Sequence, residues 1–292
     1  MTGNIDLHIH SAHSDGILKP AELVQMAHDI GLSAIALADH DSVSGIDEAM
    51  SAGERLGVEI IPAVELSVAY RDYQDVHLLG YFIDHRDRRF QERLALFRDR
   101  RETRGVRIIE RINRKLADEG KEPLTSGEVF SLAEGALGRP HIARVLMEKG
   151  HVASMQEAFR SYLEPCNVPK EYLPFSEALR EIKRLGGVAV LAHPQSVDSN
   201  RHMLGEILEE MASQGLDGLE AFNTMCLQDD AAFLAQTAKR LGLLITGGSD
   251  FHGTEEGIVM GAGRGTLKVD VTYLAAMKDY RRRNRRCATT AG

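Results

Sequence analysis

Seven short apolar, β-rich runs in this chain each carry a histidine or a carboxylate, in most cases at the end of the run or directly after it. They cover residues 5–8, 34–38, 58–63, 76–83, 188–191, 218–222 and 243–246. Helix-like stretches lie between most of them. One opens at Pro20 with Leu23, Met26, Ala27 and Ile30 on one face and ends at Gly31; others span 46–56, 175–185, 203–214 and 229–241. This alternation predicts parallel strands joined by crossover helices. His8 and His10 close the first run, and Asp39, His40 and Asp41 the second. Glu65 follows the third, and His77 lies within the fourth. His193 ends the fifth, Glu220 and Asn223 the sixth, and Asp250 and His252 the seventh. In a (β/α) barrel, functional side chains gather at the carboxyl ends of the strands, so all seven elements would deliver to one rim. His77 sits near the start of its run, which predicts a strand lying differently from the rest.

One connection breaks the rhythm. Residues 84–175 hold no strand-like run, only helical pattern with turn signals at Gly120, Pro123, Gly135 and Gly138. Some 90 residues are far too many for a loop. The expected organisation is therefore a barrel in two parts, 1–84 and 176–292, with a helical insertion, 85–175, capping the rim. Residues 86–115 carry eleven Arg and one Lys against five acids, in a chain whose net charge is −8. Two readings stay open: a solvated helix with i,i+4 pairs such as Arg98 and Glu102, or a basic wall facing an anionic substrate. The basic cluster at 281–286 reads as a helix end and solvated tail. Polar Asp6, His8 and His10 stand where a secretory leader would be apolar, and no apolar stretch approaches the ~20 residues of a membrane span. Cys166, Cys226 and Cys287 are odd in number and far apart. Together these features predict a cytoplasmic chain without disulfides.

For a single histidine a structural or surface role is the better reading, and His28, His85 and His151 are read so. The set His8, His10, Asp15, His40, Glu65, His77, His193, Asp250 and His252 is different. Imidazole and carboxylate are ligands of catalytic divalent metals. Nine such residues exceed the three that one catalytic zinc takes from its protein, and would furnish two or three ions sharing carboxylates. Metal pairs of that kind clamp the oxygens of a phosphoryl displacement. No thiolate is among them, so Mn is favoured, with Zn, Fe or Mg as alternatives.

The motifs Asp6-Leu-His-Ile-His-Ser-Ala-His-Ser-Asp-Gly16, Ala38-Asp-His-Asp41, Glu65, His77-Leu-Leu-Gly80, Ala192-His-Pro194 and Gly248-Ser-Asp-Phe-His-Gly253 resemble, in order, those of the PHP family of polymerase and histidinol phosphatase phosphoesterases. The resemblance implies an α/β fold, a distorted (β/α)7 barrel, with a trinuclear metal centre. It would give His8, His10, Glu65 and Asp250 to one metal. Glu65 would bridge to a second, held also by His77 and His193, and Asp15, His40 and His252 would hold a third. Two departures stand out: Ala38 occupies a position where Thr is common, and Gln195-Ser-Val follows Pro194 where relatives often carry a basic residue. Arg201 and His202 are the candidates to meet the substrate phosphate there.

Within the insertion, Gly138-Arg-Pro-His-Ile-Ala-Arg144, Ala158-Phe, Tyr162-Leu and Lys170-Glu-Tyr172 are similar to a PHP branch acting on nucleotides. That branch includes 3′,5′-bisphosphate nucleotidases, which release AMP from adenosine 3′,5′-bisphosphate, and enzymes that trim short RNA from its 5′ end. Arg139, His141, Arg144 and Lys170 would bind phosphate. Gly138-Arg-Pro-His is equally a helix start, and a helix start is itself a phosphate site. His13 or His202 would act as general acid. Asp41 would orient a ligand histidine. Asn223 either contacts substrate or caps its loop. The expected partner is a small nucleotide or short RNA, with no membrane and no obligatory protein partner.

The leading expectation is thus a metal-dependent phosphatase of nucleoside 3′,5′-bisphosphates. A 5′-3′ exoribonuclease on short RNA is the first alternative, and an amidohydrolase-type C–N hydrolase the second, although no Lys follows a strand where such barrels recruit one. A non-catalytic metal barrel is the last, weakened by all nine ligand positions being filled.

Overall fold

The computed structural model describes residues 3–132 and 137–290, apart from the side chains of Asp75 and 286–290. The turn signal at Gly135 and the side chains of Arg286 and Cys287 lie outside that description. In chain order the elements are β1 Asn4–Ile9, α1 Pro20–Asp29, β2 Ala34–Leu37, α2 Ile46–Leu56, β3 Glu59–Tyr70, β4 Tyr73–Tyr81 and α3 Arg88–Asp118. The short helices α4 Ser126–Phe130, α5 Arg139–Glu148 and α6 Met155–Ala158 follow, the last running into a π-helical turn, Phe159–Leu163. Then come β5 Leu173–Pro174, α7 Phe175–Arg184, β6 Val188–Leu191, α8 Arg201–Ser213, β7 Gly218–Asn223, α9 Gln228–Leu241, β8 Leu244–Gly248, β9 Val269–Asp270 and α10 Val271–Thr290.

The strands run in the order β8-β7-β6-β4-β3-β2-β1-β9, with β5 on β3. Beyond the end of β8, Asp250 N–H donates to His8 C=O at 2.9 Å and His10 N–H to Phe251 C=O at 2.9 Å. Ile9 and Phe251 thereby form a parallel bridge, and the sheet nearly closes into a barrel of seven principal strands. The approach is tight: a Cβ on Gly248 would lie 2.3–2.8 Å from His8 atoms, so only glycine fits.

The expected parallel arrangement does not extend to β4, the strand that carries His77, which is antiparallel to both β3 and β6. A two-residue turn at Arg71 and Asp72 reverses the chain, with Arg71 at φ +51. His77 therefore pairs with Ser67 in mid-strand. A strand that runs backwards reaches the rim before its end, which explains the irregular place of His77 in its run.

Ile5, Leu7, Ala36, Ile61, Ala63, Leu79, Tyr81 and Val190 form a fully buried cluster below the rim. Each large apolar side chain contributes about 1.5–3 kcal/mol by leaving water. Tyr81 satisfies its hydroxyl by donating to Leu7 C=O at 2.9 Å. A second cluster joins Ile108, Ile109, Ile112 and Leu116 of α3 to Ile142, Leu146, Tyr162 and Leu163. The inserted segment thus has an apolar core of its own. Phe90 and Leu94, at the start of α3, pack instead on the barrel. The insertion is not wholly without strand, because Leu173 of β5 pairs with Val68 of β3.

The arginine run divides along α3. Arg86 pairs with Asp47 at 2.8 Å and Arg93 pairs with Glu177, fixing the helix to the barrel. Arg100, Arg101, Arg104 and Arg107 instead line a cleft with Lys170. The first part of the run thus pairs with acids of other elements, and the second supplies the cations of the cleft. Cys166 and Cys226 are free thiols, and no helix of the described residues is long and apolar enough to cross a membrane.

Candidate metal centre

Strand alternation turns Asp6, His8 and His10 toward the same face, and all three are fully buried. Asp6 accepts from Ser249 N–H (2.9 Å), Ser249 Oγ (2.5 Å) and Gly261 N–H (2.7 Å), pinning β1 to the segment that follows β8. Around His8 and His10 five further strands bring in side chains, Glu65 and His77 from mid-strand and the others from beyond strand ends. Glu65, also fully buried, is the hub. Its Oε2 lies 3.2 Å from His8 Nε2, 3.2 Å from His10 Nε2 and 3.0 Å from His40 Nδ1. Its Oε1 lies 3.1 Å from both His77 Nδ1 and His193 Nε2. Asp250 Oδ1 stands 3.4 Å from His8 and 3.1 Å from His10. On the other flank Asp15 Oδ1 is 3.2 Å from His252 Nε2, and Asp15 Oδ2 is 3.8 Å from His40 Nε2.

Three groups of ligand atoms result, each compact enough to surround one ion: His8, His10, Glu65 and Asp250; His10, Asp15, His40 and His252; and His40, Glu65 and His77. His193 adjoins the third group through Glu65 and through His77, 3.3 Å away. The buried atoms His8 Nε2, His10 Nε2, Asp15 Oδ1, His40 Nδ1 and Glu65 Oε2 make no hydrogen bond. Convergent lone pairs without donors between them are what a cation would satisfy, so this donor set fits divalent metal.

Hydrogen bonds to the far ring nitrogens set the tautomers. His8 Nδ1 is 3.1 Å from Glu220 Oε1, and His252 Nδ1 is 2.9 Å from Asp250 C=O. Both partners only accept, so each Nδ1 carries hydrogen, and in the neutral ring it is Nε2 that has the lone pair for a cation. Glu220 also accepts from His193 N–H at 2.9 Å. Asp39 accepts from the Ser11 N–H (2.7 Å), Ser11 Oγ (2.7 Å) and Ser14 Oγ (2.5 Å), fixing the loop that carries Asp15. Asp41, His193 and Asp250 hold φ of +47, +25 and +55. Such backbone costs on the order of 1–3 kcal/mol per residue and is concentrated at functional sites.

Crowded charges shift these groups strongly. Burial works against ionisation of Glu65, Asp15 and Asp250, yet the surrounding imidazoles hold all three well below the usual carboxylate range. Burial disfavours the His252 imidazolium too, but Asp15 and Asp250 outweigh it and raise the group to about 10. His40 goes the other way, to about 3, because burial outweighs Glu65 and Asp15. So many imidazoles around three carboxylates cannot all hold a proton.

The remaining candidates are unevenly placed. Lys170 Nζ donates to Ser67 Oγ at 2.7 Å, and Arg101 Nη2 donates to the same oxygen at 3.0 Å. These cations and Asp41 line a cleft of about 170 Å³ at the edge of the ligand cluster. Asp41 does not orient a ligand imidazole. Its carboxylate accepts from Arg101 at 2.5 Å and from Ser67 N–H at 3.1 Å, because a nearby guanidinium is its strongest partner. Arg139 lies over the Phe159 ring and His141 is buried at the start of α5, with Arg144 one turn further on.

Four candidates are not drawn in. His202 is 83% exposed on α8 and faces Glu206, and Arg201 is bound to Asp230 at 2.6 Å. His13 packs its ring near Gly45. Asn223 caps its own loop, accepting from Met225 N–H at 2.9 Å and donating to Glu220 C=O at 3.2 Å. Of the histidines read as structural, His85 meets Asp47, His151 meets Glu122 C=O, and His28 is exposed. Sequence reasoning placed Glu220 and Asp39 at the rim without a specific role, and gave none to Ser67 or Arg101. The first two stand at strand ends beside apolar runs and were open to that reading, whereas Arg101 reaches the site only through the docking of α3.

The family model of the PHP domain matches residues 6–166. A 5′-3′ exoribonuclease of Haemophilus influenzae is 34% identical over 86% of this chain and 91% of its own. A 3′,5′-nucleoside bisphosphate phosphatase of Chromobacterium violaceum is 32% identical over 87% and 89%. Among solved structures, one described as a metal-dependent phosphoesterase from Bifidobacterium adolescentis superposes with a TM-score of 0.81 at 29% identity, covering 94% of each chain. One described as an amidohydrolase from Chromobacterium violaceum gives 0.77 at 31%, covering 85% and 87%.

Proposed function

The chain belongs to the PHP domain family and is a metal-dependent phosphoesterase, and from that premise we propose that it removes the 3′-phosphate of nucleoside 3′,5′-bisphosphates, releasing AMP from adenosine 3′,5′-bisphosphate. The observation that carries this reading is a second, cationic anion site directly beside the ligand cluster. Arg101 and Lys170 converge on Ser67, the cross-strand partner of His77, in a cleft that also holds Arg100, Arg104 and Arg107. A substrate with two phosphates needs two such places. One phosphate lies at the cluster and is cleaved, and the other is held by guanidinium and ammonium donors and retained. The N-terminus of α5, with Arg139 and Arg144, lies over the Asp15 side and adds donors there.

Up to three divalent ions, Mn favoured, would be held by His8, His10, Glu65 and Asp250; by Glu65, His77 and His193 with His40; and by Asp15, His40 and His252 with His10. Bound there, such ions supply Lewis acidity and a water nucleophile at neutral pH. The protein's own part is orientation. Glu220 and the Asp250 carbonyl present the His8 and His252 lone pairs, and Asp41 aims Arg101 into the cleft.

A 5′-3′ exoribonuclease reading is favoured by the Haemophilus influenzae relative and by the arginines that extend the cleft along α3. The purified protein, assayed at matched concentration on adenosine 3′,5′-bisphosphate and on a 5′-phosphorylated trinucleotide, decides between them. Faster turnover of the bisphosphate is expected, and faster turnover of the trinucleotide reverses the order. For the amidohydrolase reading, the sequence offers no Lys directly after the strands that carry the ligand residues. Cleavage of amides without cleavage of phosphate esters would be needed to revive it.

A further inference from the structure

His141 differs from His8 and His252 among the histidines proposed as metal ligands. It is buried, 1% exposed, at the third position of α5. Gly138 N–H donates to its Nδ1 at 3.0 Å. A backbone N–H can only donate, so Nδ1 must hold a lone pair, and the ring's single hydrogen is on Nε2. This is the reverse of His8 and His252, whose Nδ1 atoms carry hydrogen and whose Nε2 atoms are free to bind a cation. His141 Nε2 is therefore a donor and not a metal ligand. It is buried and makes no hydrogen bond. Leaving such a donor unmet costs on the order of 1–3 kcal/mol, which calls for an acceptor that arrives later.

Its surroundings say what that acceptor is. A Cβ on Gly138, the residue bonded to Nδ1, would lie 3.7 Å from Asp15 Oδ2. Burial lowers the pKa of His141, while Asp15 and the hydrogen bond with Gly138 pull it upward and Arg144 and Arg101 push it down. The ring thus feels a proposed metal ligand and two guanidinium groups, and it stands at a helix N-terminus that favours negative charge. An anionic oxygen bound on the Asp15 side meets all of these at once. A neutral imidazole at a helix N-terminus is an effective electrophile, because it stabilises developing charge without having to give up a proton.

We propose that His141 is a catalytic hydrogen-bond donor, its neutral Nε2–H holding a phosphoryl oxygen of the substrate at the Asp15 side of the metal centre. This rests on the phosphoesterase reading and goes beyond it, since it replaces the charged anion contact expected from sequence with a neutral one. It also separates His141 from the general-acid role, which its hydrogen bond from Gly138 rules out.

The test uses the full chain loaded with Zn and two variants. H141N keeps an acceptor for Gly138 N–H but has no donor at the Nε2 position, and H141Q restores a donor near it. With adenosine 3′,5′-bisphosphate and with p-nitrophenyl phosphate, H141N is expected to lose about 10²–10³-fold in kcat on both esters, with little change in KM. Metal content and Tm should stay at wild-type values, and H141Q should recover at least part of the loss. In 15N-histidine-labelled protein, inorganic phosphate should shift the His141 Nε2–H resonance. Unchanged kcat in H141N, a loss confined to the alkyl ester, or a parallel fall in metal content each overturns the proposal. Should wild-type protein cleave neither ester, the phosphoesterase reading fails, and the phosphate titration still decides the donor: a resonance that does not move overturns it.

Discussion

Glu65 is the residue on which the site turns, because five imidazoles lie within 3.0–3.2 Å of its two oxygens. Glu65→Gln keeps the shape and removes the charge. Metal analysis should then show fewer bound ions, and activity should fall at least a thousandfold; full metal content in this variant would remove Glu65 from its central place. Glu220→Gln weakens the grip on His8 and His193 without touching a cation, so metal affinity should drop about 10–100-fold. Proton release follows from His252. In the metal-free protein Asp15 and Asp250 raise it to about 10, so it is charged at neutral pH, whereas a ligand imidazole must be neutral. Metal uptake near pH 7.5 should therefore expel protons, and affinity should strengthen as pH rises. Calorimetric titration in buffers of different ionisation enthalpy measures this, and a buffer-independent heat would contradict it. The ligand set was legible from sequence because metal chemistry tolerates few residue types and strands deliver them at fixed places. The donors and acceptors behind the ligands were not. Whether Asp41 meets an imidazole or Arg101 depends on how α3 docks, and nothing local to Asp41 carries that information.

At the scale of elements, most strands and helices could be read from apolar periodicity, and α2 spans the residues its pattern predicts. The direction of β4 could not. An apolar strand looks the same whichever way it runs, and the turn at Arg71 and Asp72 lacks the glycine that usually announces a hairpin. The helix α3 carries the heaviest burden, since it joins the barrel to the inserted core and lines the cationic cleft. Its start is held by Asp87, which accepts from Phe90 N–H at 2.8 Å and pairs with both terminal nitrogens of Arg184 at 2.8 Å. Arg184 and the Phe90 N–H lower Asp87 from 3.8 to about 2. A depressed carboxylate contributes stability above its unfolded pKa and loses it as pH falls through the folded one. Asp87→Ala should thus cost about 1 kcal/mol near neutral pH. The difference from wild type in urea midpoint should shrink between pH 4 and 2 and vanish below. A variant as stable as wild type at pH 7 would show that α3 is anchored elsewhere, through Arg93 or Phe90.

For the whole molecule, the feature that matters is the sequence distance spanned by each ligand group. His8 lies on the first strand and His10 directly after it, whereas Asp250 and His252 follow the last of the seven principal strands, and Ile9 and Phe251 are the bridge that closes the sheet. Ions held between these ends would act as fasteners across the closure of the barrel. In their absence the same seam relies on backbone hydrogen bonds and on Asp6 reaching Ser249 and Gly261. A ligand that binds only the folded state stabilises it by about 2.7 kcal/mol at a hundredfold excess over its Kd. In a chain this size each kcal/mol is worth roughly 2–4 °C. Chelation should accordingly lower the Tm of the barrel by about 5–10 °C, and adding back Mn or Zn should restore it. The apolar core of Ile108, Ile112, Ile142 and Leu163 holds no ligand, so its unfolding should shift less if calorimetry resolves it as a separate transition. A Tm indifferent to chelation, in protein that analysis shows to have lost its metal, would mean that the seam closes without the ions and that they serve chemistry alone.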